Sequence, residues 1–346
     1  MNNKTRISRY QASLNNYIKK SCVYNIQNDL DKLISEILDR NSDNIVPIIL
    51  LTILNSQCKK NNLSLHGYFI ATSIELIVLL CKIMDNNTYF QQEYQIKHHM
   101  ITNITNKIQV YINKCVAQNI NYISSHIDKE RLSMLCLTVN EVINENIFEI
   151  INHHDFMYDE VSYDSYINKT DLTKFTFSDK KIVKSLKKIK KIKKEYFLKY
   201  IQIKYGNLGY LILYFSWIFG LNIENINNIK NNFKTQKGNI ITDKNNIILR
   251  KLGIVLGNLI KILNDFENVE RDIKYSNGYC YNYVVNFGIQ EAFEFFVINK
   301  TKFIEGCISN DIYTNTIKEV IDHMERKVDI FLNNVSLDLK TEYTLT

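Results

Sequence analysis

The sequence has little proline and little glycine. It contains one proline, Pro47, and ten glycines in 346 residues, and Gly67 is the only glycine before Gly206. Proline and glycine are the residues that most often interrupt helices. Their scarcity over so long a stretch predicts long helices that are joined by short turns.

Cysteine is present, but not in a pattern that builds a disulfide framework or a zinc site. The seven cysteines are an odd number, they are widely spaced, and no C-x-x-C motif occurs. Such spacing is typical of reduced thiols in a reducing compartment. Residues 1–28 are polar and basic and lack the apolar run of a secretory signal. We therefore expect a cytoplasmic protein.

Long apolar runs and a strong excess of one charge are also missing. The apolar stretches 69–80 and 206–221 are shorter than the roughly 20 residues that span a bilayer. We expect them to be buried core helices, with no stable membrane insertion. The formal net charge of +7 is modest and comes almost entirely from lysine, so we expect no nucleic-acid partner.

What remains is a pattern of helical periodicity along one domain. Ile45 to Leu54 and Ile70 to Ile83 are typical of buried helices, and strand signals are scarce. The segment 169–199 differs because nine lysines crowd into positions 180–194. This segment is either a solvated face or a loop or lid near an anion site.

Two acidic residues follow an apolar helical stripe. Phe148, Ile151, Asp155 and Asp159 are three or four residues apart, so they share one helix face. Two carboxylates one turn apart repel each other and lose hydration when they are buried. A bound divalent cation removes both costs, and oxygen ligands favour Mg²⁺. Such a pair also occurs on ordinary exposed helix faces, and that alternative stays open.

Oxygen-bearing side chains recur later in the chain. Asn264, Asn268 and Asp272 follow one another at i, i+4 and i+8, which places them along one helix face. Gly253 and Gly257 extend that face and leave room for either an apolar ligand or a close helix neighbour.

An arginine adjoins the last of these side chains. Arg271 can hold a phosphate group in bidentate fashion, or it can pair with Glu267 four residues earlier.

The two patterns, in this order, resemble class I terpene synthases of the isoprenyl-diphosphate-synthase-like type. Residues 155–159 are similar to the first aspartate-rich motif, D-D-x-x-D, with Phe156 in place of the second aspartate. Residues 264–272 are similar to N-D-x-x-S-x-x-x-E, with Asn268 and Asp272 in place of the serine and the glutamate.

Two further segments agree with this resemblance. Residues 204–208 are similar to the K-T-G-A-L stretch of prenyl synthases, whose lysine holds diphosphate, and residues 277–292 resemble the run that follows the terpene synthase metal triad. The first hundred residues carry no comparable motif.

The resemblance implies an all-α fold, the class I terpenoid synthase helical bundle around a central apolar active-site cavity. It implies a single domain over residues 1–346. In that domain residues 1–100 form extra or divergent N-terminal helices, residues 100–346 form the catalytic core, and residues 169–199 form a lysine-rich loop or lid.

The resemblance also implies a mechanism, in which three Mg²⁺ ions neutralise the departing diphosphate. The expected metal-binding and catalytic residues are Asp155, Asp159, Asn264, Asn268 and Asp272. The expected diphosphate-binding residues are Arg271, Lys204 and Lys274. The expected cavity residues are Phe148, Phe156, Tyr210, Tyr214, Phe215 and Trp217, although aromatic residues at helical spacing are also typical of plain core.

The expected activity is that of a terpene synthase that ionises a prenyl diphosphate, most simply farnesyl diphosphate, and cyclises the cation to a sesquiterpene. Prenyl synthases carry an arginine pair just after the first acidic motif, whereas residues 161–171 contain no arginine. This difference favours a cyclase with one substrate. The alternatives are a chain-elongating trans-isoprenyl diphosphate synthase and a non-catalytic helical binding protein. A homodimer is compatible with the resemblance.

Overall fold

The computed structural model describes residues 5–57, 67–126, 129–160, 163–166, 188–220, 243–276 and 278–343, with positions 182 and 186. For residues 126, 131, 134, 152–160, 163–166, 243–245 and 334–343 it describes the backbone and not the side chains.

Nearly all of the described chain is α-helical. The helices are α1 (Arg6–Lys20), α2 (Asp29–Asn41), α3 (Ile45–Gln57), α4 (Tyr68–Asp85), α5 (Asn87–Glu93), α6 (His98–Ile123), α7 (Lys129–Glu160), α8 (Lys194–Gly220), α9 (Asp243–Glu267), α10 (Val269–Tyr275), α11 (Tyr283–Phe287), α12 (Ile289–Ser309) and α13 (Asn315–Tyr343). Short 3₁₀ turns occur at Cys22–Tyr24 and Ser124–His126. The predicted all-α class is confirmed.

The apolar stretches that the sequence singled out are buried helices, as predicted. The stretch 45–54 lies in α3, the stretch 69–83 lies in α4, and the stretch 206–220 lies in α8. Fourteen of the eighteen residues of α4 are buried. In the part of the chain that the structure describes, no helix has the length and apolar character needed to cross a membrane.

Helix α8 is the centre of the bundle and contacts α3, α4, α7 and α9. Helices α8 and α9 pack antiparallel, as shown by the contacts of Tyr205 with Gly257 and of Tyr210 with Gly253. A Cβ atom on Gly257 would lie 2.1 Å from the Tyr205 carbonyl oxygen, and one on Gly209 would lie 2.0 Å from the Gly253 oxygen. The small residues of α9 therefore accommodate a close helix neighbour, one of the two options that the sequence left open.

A small sheet joins part of the lysine-rich segment to the bundle. Strand β1 (Tyr163–Tyr166) pairs antiparallel with β2 (Lys190–Ile192). The Lys190 N–H donates to the Gly278 oxygen at 2.9 Å, and the Ile192 N–H donates to Asn286 Oδ1 at 3.0 Å. The end of the predicted loop is thus a strand followed by the first turns of α8, and residues 167–181 lie outside the described residues.

Candidate functional site

A buried carboxylate ends helix α4 and organises the polar centre of the bundle. Asp85 has a side chain that is 2% exposed. Its Oδ1 accepts hydrogen bonds from the Tyr200 hydroxyl and from Lys204 Nζ. Its Oδ2 accepts a hydrogen bond from the Tyr205 hydroxyl. Helix α8 supplies all three donors because positions 200 and 204 are one turn apart on the face that meets the end of α4.

Helix α9 adds a second lysine and a second acid to this centre. Lys261 Nζ donates to Asp265 Oδ1 at 2.6 Å and lies 3.7 Å from Asp85 Oδ2. It also donates to the Tyr281 carbonyl oxygen. The remaining oxygen of Asp265 accepts from the Tyr283 N–H at 2.8 Å. Lys261 therefore bridges two acids that come from different helices.

Helix α10 holds a third acid with its own cation. Both Arg271 Nε and Nη2 donate to Asp272 Oδ1, at 3.2 and 3.1 Å. Asn282 Nδ2 donates to Asp272 Oδ2 at 2.9 Å. With its amide oriented to match its neighbours, Asn86 donates to Asp272 Oδ1 at 3.0 Å and accepts from Arg271 Nη2 at 3.2 Å. The residue that follows Asp85 thus ties the end of α4 to α10.

We call Asp85, Lys204, Lys261, Asp265, Asp272 and Arg271 the acid–cation cluster. Three carboxylates in it face three cationic side chains.

Burial and charge act on these groups in opposite directions. Burial alone would raise the pKa of Asp85, but Lys204 and Lys261 outweigh it and lower that pKa to about 2. Burial raises the pKa of Asp265 to about 7, because Lys261 offsets the lost hydration only in part. Burial also raises the pKa of Asp272, although Arg271 opposes this. Burial would lower the pKa of Lys261, but Asp265 and Asp85 raise it, so this lysine is charged at neutral pH.

Helices α9 and α10 carry the predicted side chains at positions 264, 268 and 272, and they meet at Asn268. This residue has φ −124° and ψ 17°, so the predicted single helix face is interrupted there. Asn268 Nδ2 donates to Asn264 Oδ1 at 3.1 Å and to the Asn264 carbonyl oxygen at 2.7 Å. The two amides bind each other, while Asp272 binds Arg271 and Asn282.

A polar cavity of about 500 Å³ opens beside the acid–cation cluster. It lies between the end of α4, the start of α5 and α6, α10, and the segment that follows α10. Its lining residues are Met84, Asp85, Asn86, Asn87, Thr88, Gln91, His98, Asp272, Tyr275, Ser276, Tyr279, Cys280 and Tyr281. The lining is rich in amide, hydroxyl and imidazole groups that can donate to an anionic oxygen. Arg271 and the exposed Lys274 are the nearest cations along α10.

The predicted aromatic residues whose side chains the structure describes, Phe148, Tyr210, Tyr214, Phe215 and Trp217, do not line this cavity. Tyr210, Tyr214 and Phe215 are buried along α8, and Trp217 is half-buried. The Tyr210 hydroxyl donates to Asn246 Oδ1 at 2.7 Å, towards the start of α9. Phe148 is 64% exposed on α7, and it is therefore a surface residue in this structure.

The first predicted acidic motif belongs to the last turns of α7. The side chains of Asp155, Phe156 and Asp159 lie outside the described residues, so their place relative to the cluster stays a prediction. Of the predicted diphosphate ligands, Lys204 is 1% exposed and bound to Asp85, whereas Arg271 and Lys274 are accessible to solvent.

Sequence reasoning missed Asp85, Lys261 and Asp265. Asp85 has no second acid beside it, because the next two positions are asparagines. No acidic motif therefore marks this residue in the sequence. The available signal was its place at the end of α4, in an apolar run whose other charged residues are Glu75 and Lys82. A lone buried acid needs a cationic partner. The pair Lys261 and Asp265, at i and i+4 on an apolar helix, contains such a cation.

Of the acids whose side chains the structure describes, Asp272 was expected to hold magnesium, and neither it nor its neighbours Asp85 and Asp265 fit that ion as they stand. A magnesium ion needs carboxylate or carbonyl oxygens that face it and excess negative charge around them. Both oxygens of Asp85, Asp265 and Asp272 accept hydrogen bonds, and a cation already contacts each of these acids. Among the described residues, no three His, Cys, Asp or Glu side chains converge to hold a metal ion.

No protein-family model matches this chain, and no curated protein matches it significantly. Solved structures do resemble it. It is similar to a geranyltransferase from Helicobacter pylori 26695, with 13% identity, a TM-score of 0.53, and coverage of 96% of this chain and 99% of that chain.

Two other bacterial structures give the same result. A geranyltransferase from Legionella pneumophila has 10% identity and a TM-score of 0.54, covering 93% of this chain and 95% of that one. A geranyltranstransferase from Thermotoga maritima has 10% identity and a TM-score of 0.50, covering 93% and 97%. The coverage includes most of the first hundred residues, which carry no motif that resembles the family. This chain therefore has the helical, isoprenyl-synthase-like fold of these geranyltransferases.

Proposed function

We propose that this protein binds a prenyl diphosphate beside the acid–cation cluster and transfers the prenyl group to a second isoprenoid diphosphate. The observation that carries the proposal is a polar cavity of about 500 Å³ that opens between α4 and α10, in a fold shared with geranyltransferases. Transfer breaks the allylic C–O bond, forms a carbon–carbon bond to the second substrate and releases a proton and diphosphate.

The donors around the cavity suit the diphosphate group. Asn87, Thr88 and Gln91 line the cavity from α5, and Ser276 and Tyr279 line it from the segment after α10. Arg271 lies over the Tyr89 ring at 4.9 Å, and its guanidinium contacts Asp272 and Asn86, which line the cavity. Charge-assisted hydrogen bonds from this arginine and from Lys274 would stabilise a phosphate oxygen.

Chain elongation fits the comparisons better than the cyclisation that the sequence favoured. The solved structures that share the fold are described as geranyltransferases. The absence of arginine from residues 161–171 was the argument for a cyclase, and it concerns a segment of which the structure describes only residues 163–166.

The neutralised acids favour a second candidate, a protein that binds prenyl diphosphates without turning them over. Each described acid of the cluster is paired with a cation of the same chain. Such pairing leaves less negative charge for the divalent cations that class I ionisation is expected to use.

One assay separates these functions. Purified protein is incubated with dimethylallyl, geranyl or farnesyl diphosphate, with and without isopentenyl diphosphate, and with Mg²⁺ or excess chelator. A longer prenyl diphosphate that forms only with both substrates supports the transferase. A hydrocarbon or alcohol formed from the allylic substrate alone supports the cyclase. Saturable binding of a non-reactive thiolodiphosphate without any product supports the binding protein.

A matched pair of variants locates the binding site. Lys274→Gln removes an exposed cation that lies over the ring of Tyr275, which lines the cavity, and Lys302→Gln removes an exposed cation on α12. We expect the first variant to weaken thiolodiphosphate binding about tenfold, as for the loss of one charge-assisted hydrogen bond, and the second to leave it unchanged. Equal affinities in both variants would place the diphosphate elsewhere.

A further inference from the structure

Lys261 is a fully enclosed cation of the acid–cation cluster. Its side chain is 1% exposed, and its Nζ contacts Asp265, the Tyr281 carbonyl oxygen and, at 3.7 Å, Asp85. These oxygens come from α9, from the segment before α11, and from α4. An ammonium that is surrounded by oxygens from three parts of the chain occupies the kind of position that a bound cation would occupy.

Moving Lys261 out of that position would carry a large free-energy cost. Position 261 is one turn before Asp265 on the same helix face, so the two side chains must meet. Rotation of Lys261 towards solvent would leave the buried Asp265 without its countercharge. The ring of Tyr205 lies 5.4 Å from Lys261 Nζ and closes another side of the site.

Lys204 neutralises Asp85 at the oxygen atom opposite Lys261. It binds the Asp85 oxygen that Lys261 does not approach, and its side chain is 1% exposed. A divalent ion at Asp85 and Asp265 would have to displace an ammonium or lie within a few ångströms of one. At that separation two like charges repel by several kilocalories per mole even at an effective dielectric constant of about 20.

We propose that the Lys261 ammonium takes the place of a divalent cation in this cluster, so that Asp85 and Asp265 neutralise a lysine and bind no metal. The inference concerns the same site as the proposed function, but it depends on charge and geometry alone. Any requirement of the protein for Mg²⁺ would then come from residues outside the acid–cation cluster.

The test is a measurement of Mn²⁺ binding, with Mn²⁺ as a spin-active substitute for Mg²⁺. Electron paramagnetic resonance and calorimetry are applied to the full-length wild type and to the Lys261→Gln, Lys261→Gln/Asp265→Asn and Lys300→Gln variants. Glutamine nearly keeps the length of lysine and removes its charge. Lys300 forms a 2.6 Å ion pair with Glu325, which is not an acid of the cluster, so its variant controls for the loss of one positive charge.

We expect Lys261→Gln to gain one Mn²⁺ site that the wild type does not have, because the positive charge that excludes a divalent ion has been removed. The gain should vanish in the double variant and should not occur in Lys300→Gln. Any metal that binds outside the cluster is common to all four proteins and cancels in the comparison.

A second comparison does not depend on the folding of Lys261→Gln. Wild type and Asp265→Asn are titrated with Mn²⁺ under the same conditions, and we expect identical binding. A wild-type site that is lost in Asp265→Asn would overturn the proposal, as would a folded Lys261→Gln variant that gains no site. Neither measurement uses turnover. The absence of any prenyl transfer would therefore contradict the proposed function without affecting the conclusion about Lys261.

Discussion

At the scale of single residues, the protein is organised by Asp85. This aspartate has three hydrogen-bond donors from α8, of which only Lys204 is charged, and Lys261 is its second positive neighbour. A buried ion pair adds little net stability, but the removal of one partner leaves an uncompensated charge. Asp85 is therefore important for stability mainly because its removal would leave Lys204 and Lys261 without a countercharge.

We expect Asp85→Asn to lower the free energy of unfolding by about 3–5 kcal/mol. Lys204 and Lys261 would both lose a countercharge while they stay buried. Urea unfolding at pH 7 measures the effect. Glu325→Gln is the control, because it breaks a pair in which the glutamate is 43% exposed and should cost less than about 1 kcal/mol. Equal losses in the two variants would show that the lysines do not depend on Asp85.

Glu75 should make stability depend on pH. Burial raises the pKa of this α4 residue to about 7, and Asp43 adds to the shift. Because the folded pKa lies above the unfolded one, the native state holds the proton more tightly, and that stabilisation is lost as the pH rises towards 7. Relative to wild type, Glu75→Gln should therefore gain stability between pH 5 and pH 7.5, on the order of 3 kcal/mol.

Urea unfolding of both proteins at the two pH values tests this. Asp265, whose pKa burial also raises to about 7, is present in both proteins and cancels from the difference. A stability difference that stays constant with pH would contradict the expectation.

At the scale of the elements, the contact between α8 and α9 sets the position of the cluster. Lys204 precedes the glycine contact on α8 and Lys261 follows it on α9, so the antiparallel packing brings both lysines to the end of α4. The close approach depends on residues that have no Cβ atom. Widening the contact would separate the two lysines from the acids.

We expect Gly257→Ala to destabilise the protein by about 3 kcal/mol or more, because its Cβ would lie 2.1 Å from a backbone oxygen of α8. Gly206→Ala is the matched control on the partner helix. Its Cβ would meet the Ile254 side chain at 3.3 Å, and alanine favours helix, so the change should stay within about 1 kcal/mol. Chemical unfolding followed by circular dichroism would refute the argument if both variants behaved alike.

At the scale of the whole molecule, the N-terminal helices are part of one hydrophobic core with the rest of the bundle. Helix α1 contacts α3, α4 and α13, and its Ile7, Leu14 and Ile18 are buried. Helix α4, which lies in the first hundred residues, supplies Asp85 to the site. The division into divergent N-terminal helices and a catalytic core stays a prediction, but one site residue of the cluster comes from the first part.

We expect deletion of residues 1–21 to lower the free energy of unfolding by about 5 kcal/mol while unfolding remains a single transition. The deletion removes three buried aliphatic side chains and exposes the residues that pack against them. Burial of each such side chain contributes about 1.5–3 kcal/mol to stability. Calorimetry of the full and shortened chains measures it. An unchanged melting temperature, or two separate transitions in the full chain, would show that α1 is not part of the common core.

The sequence alone determined the helical class and the place of the buried helices, because the scarcity of glycine and proline and the apolar periodicity act locally. It also indicated the polar positions of α9 and α10, and it left the identity of their partners open. Only the tertiary structure decided that Asp85 meets Lys204 and Lys261, since these residues are more than a hundred positions apart and no local pattern links them. The charge balance of the site depends on that long-range contact, which is why a motif of oxygen donors could suggest a metal site while the folded chain supplies its own cations.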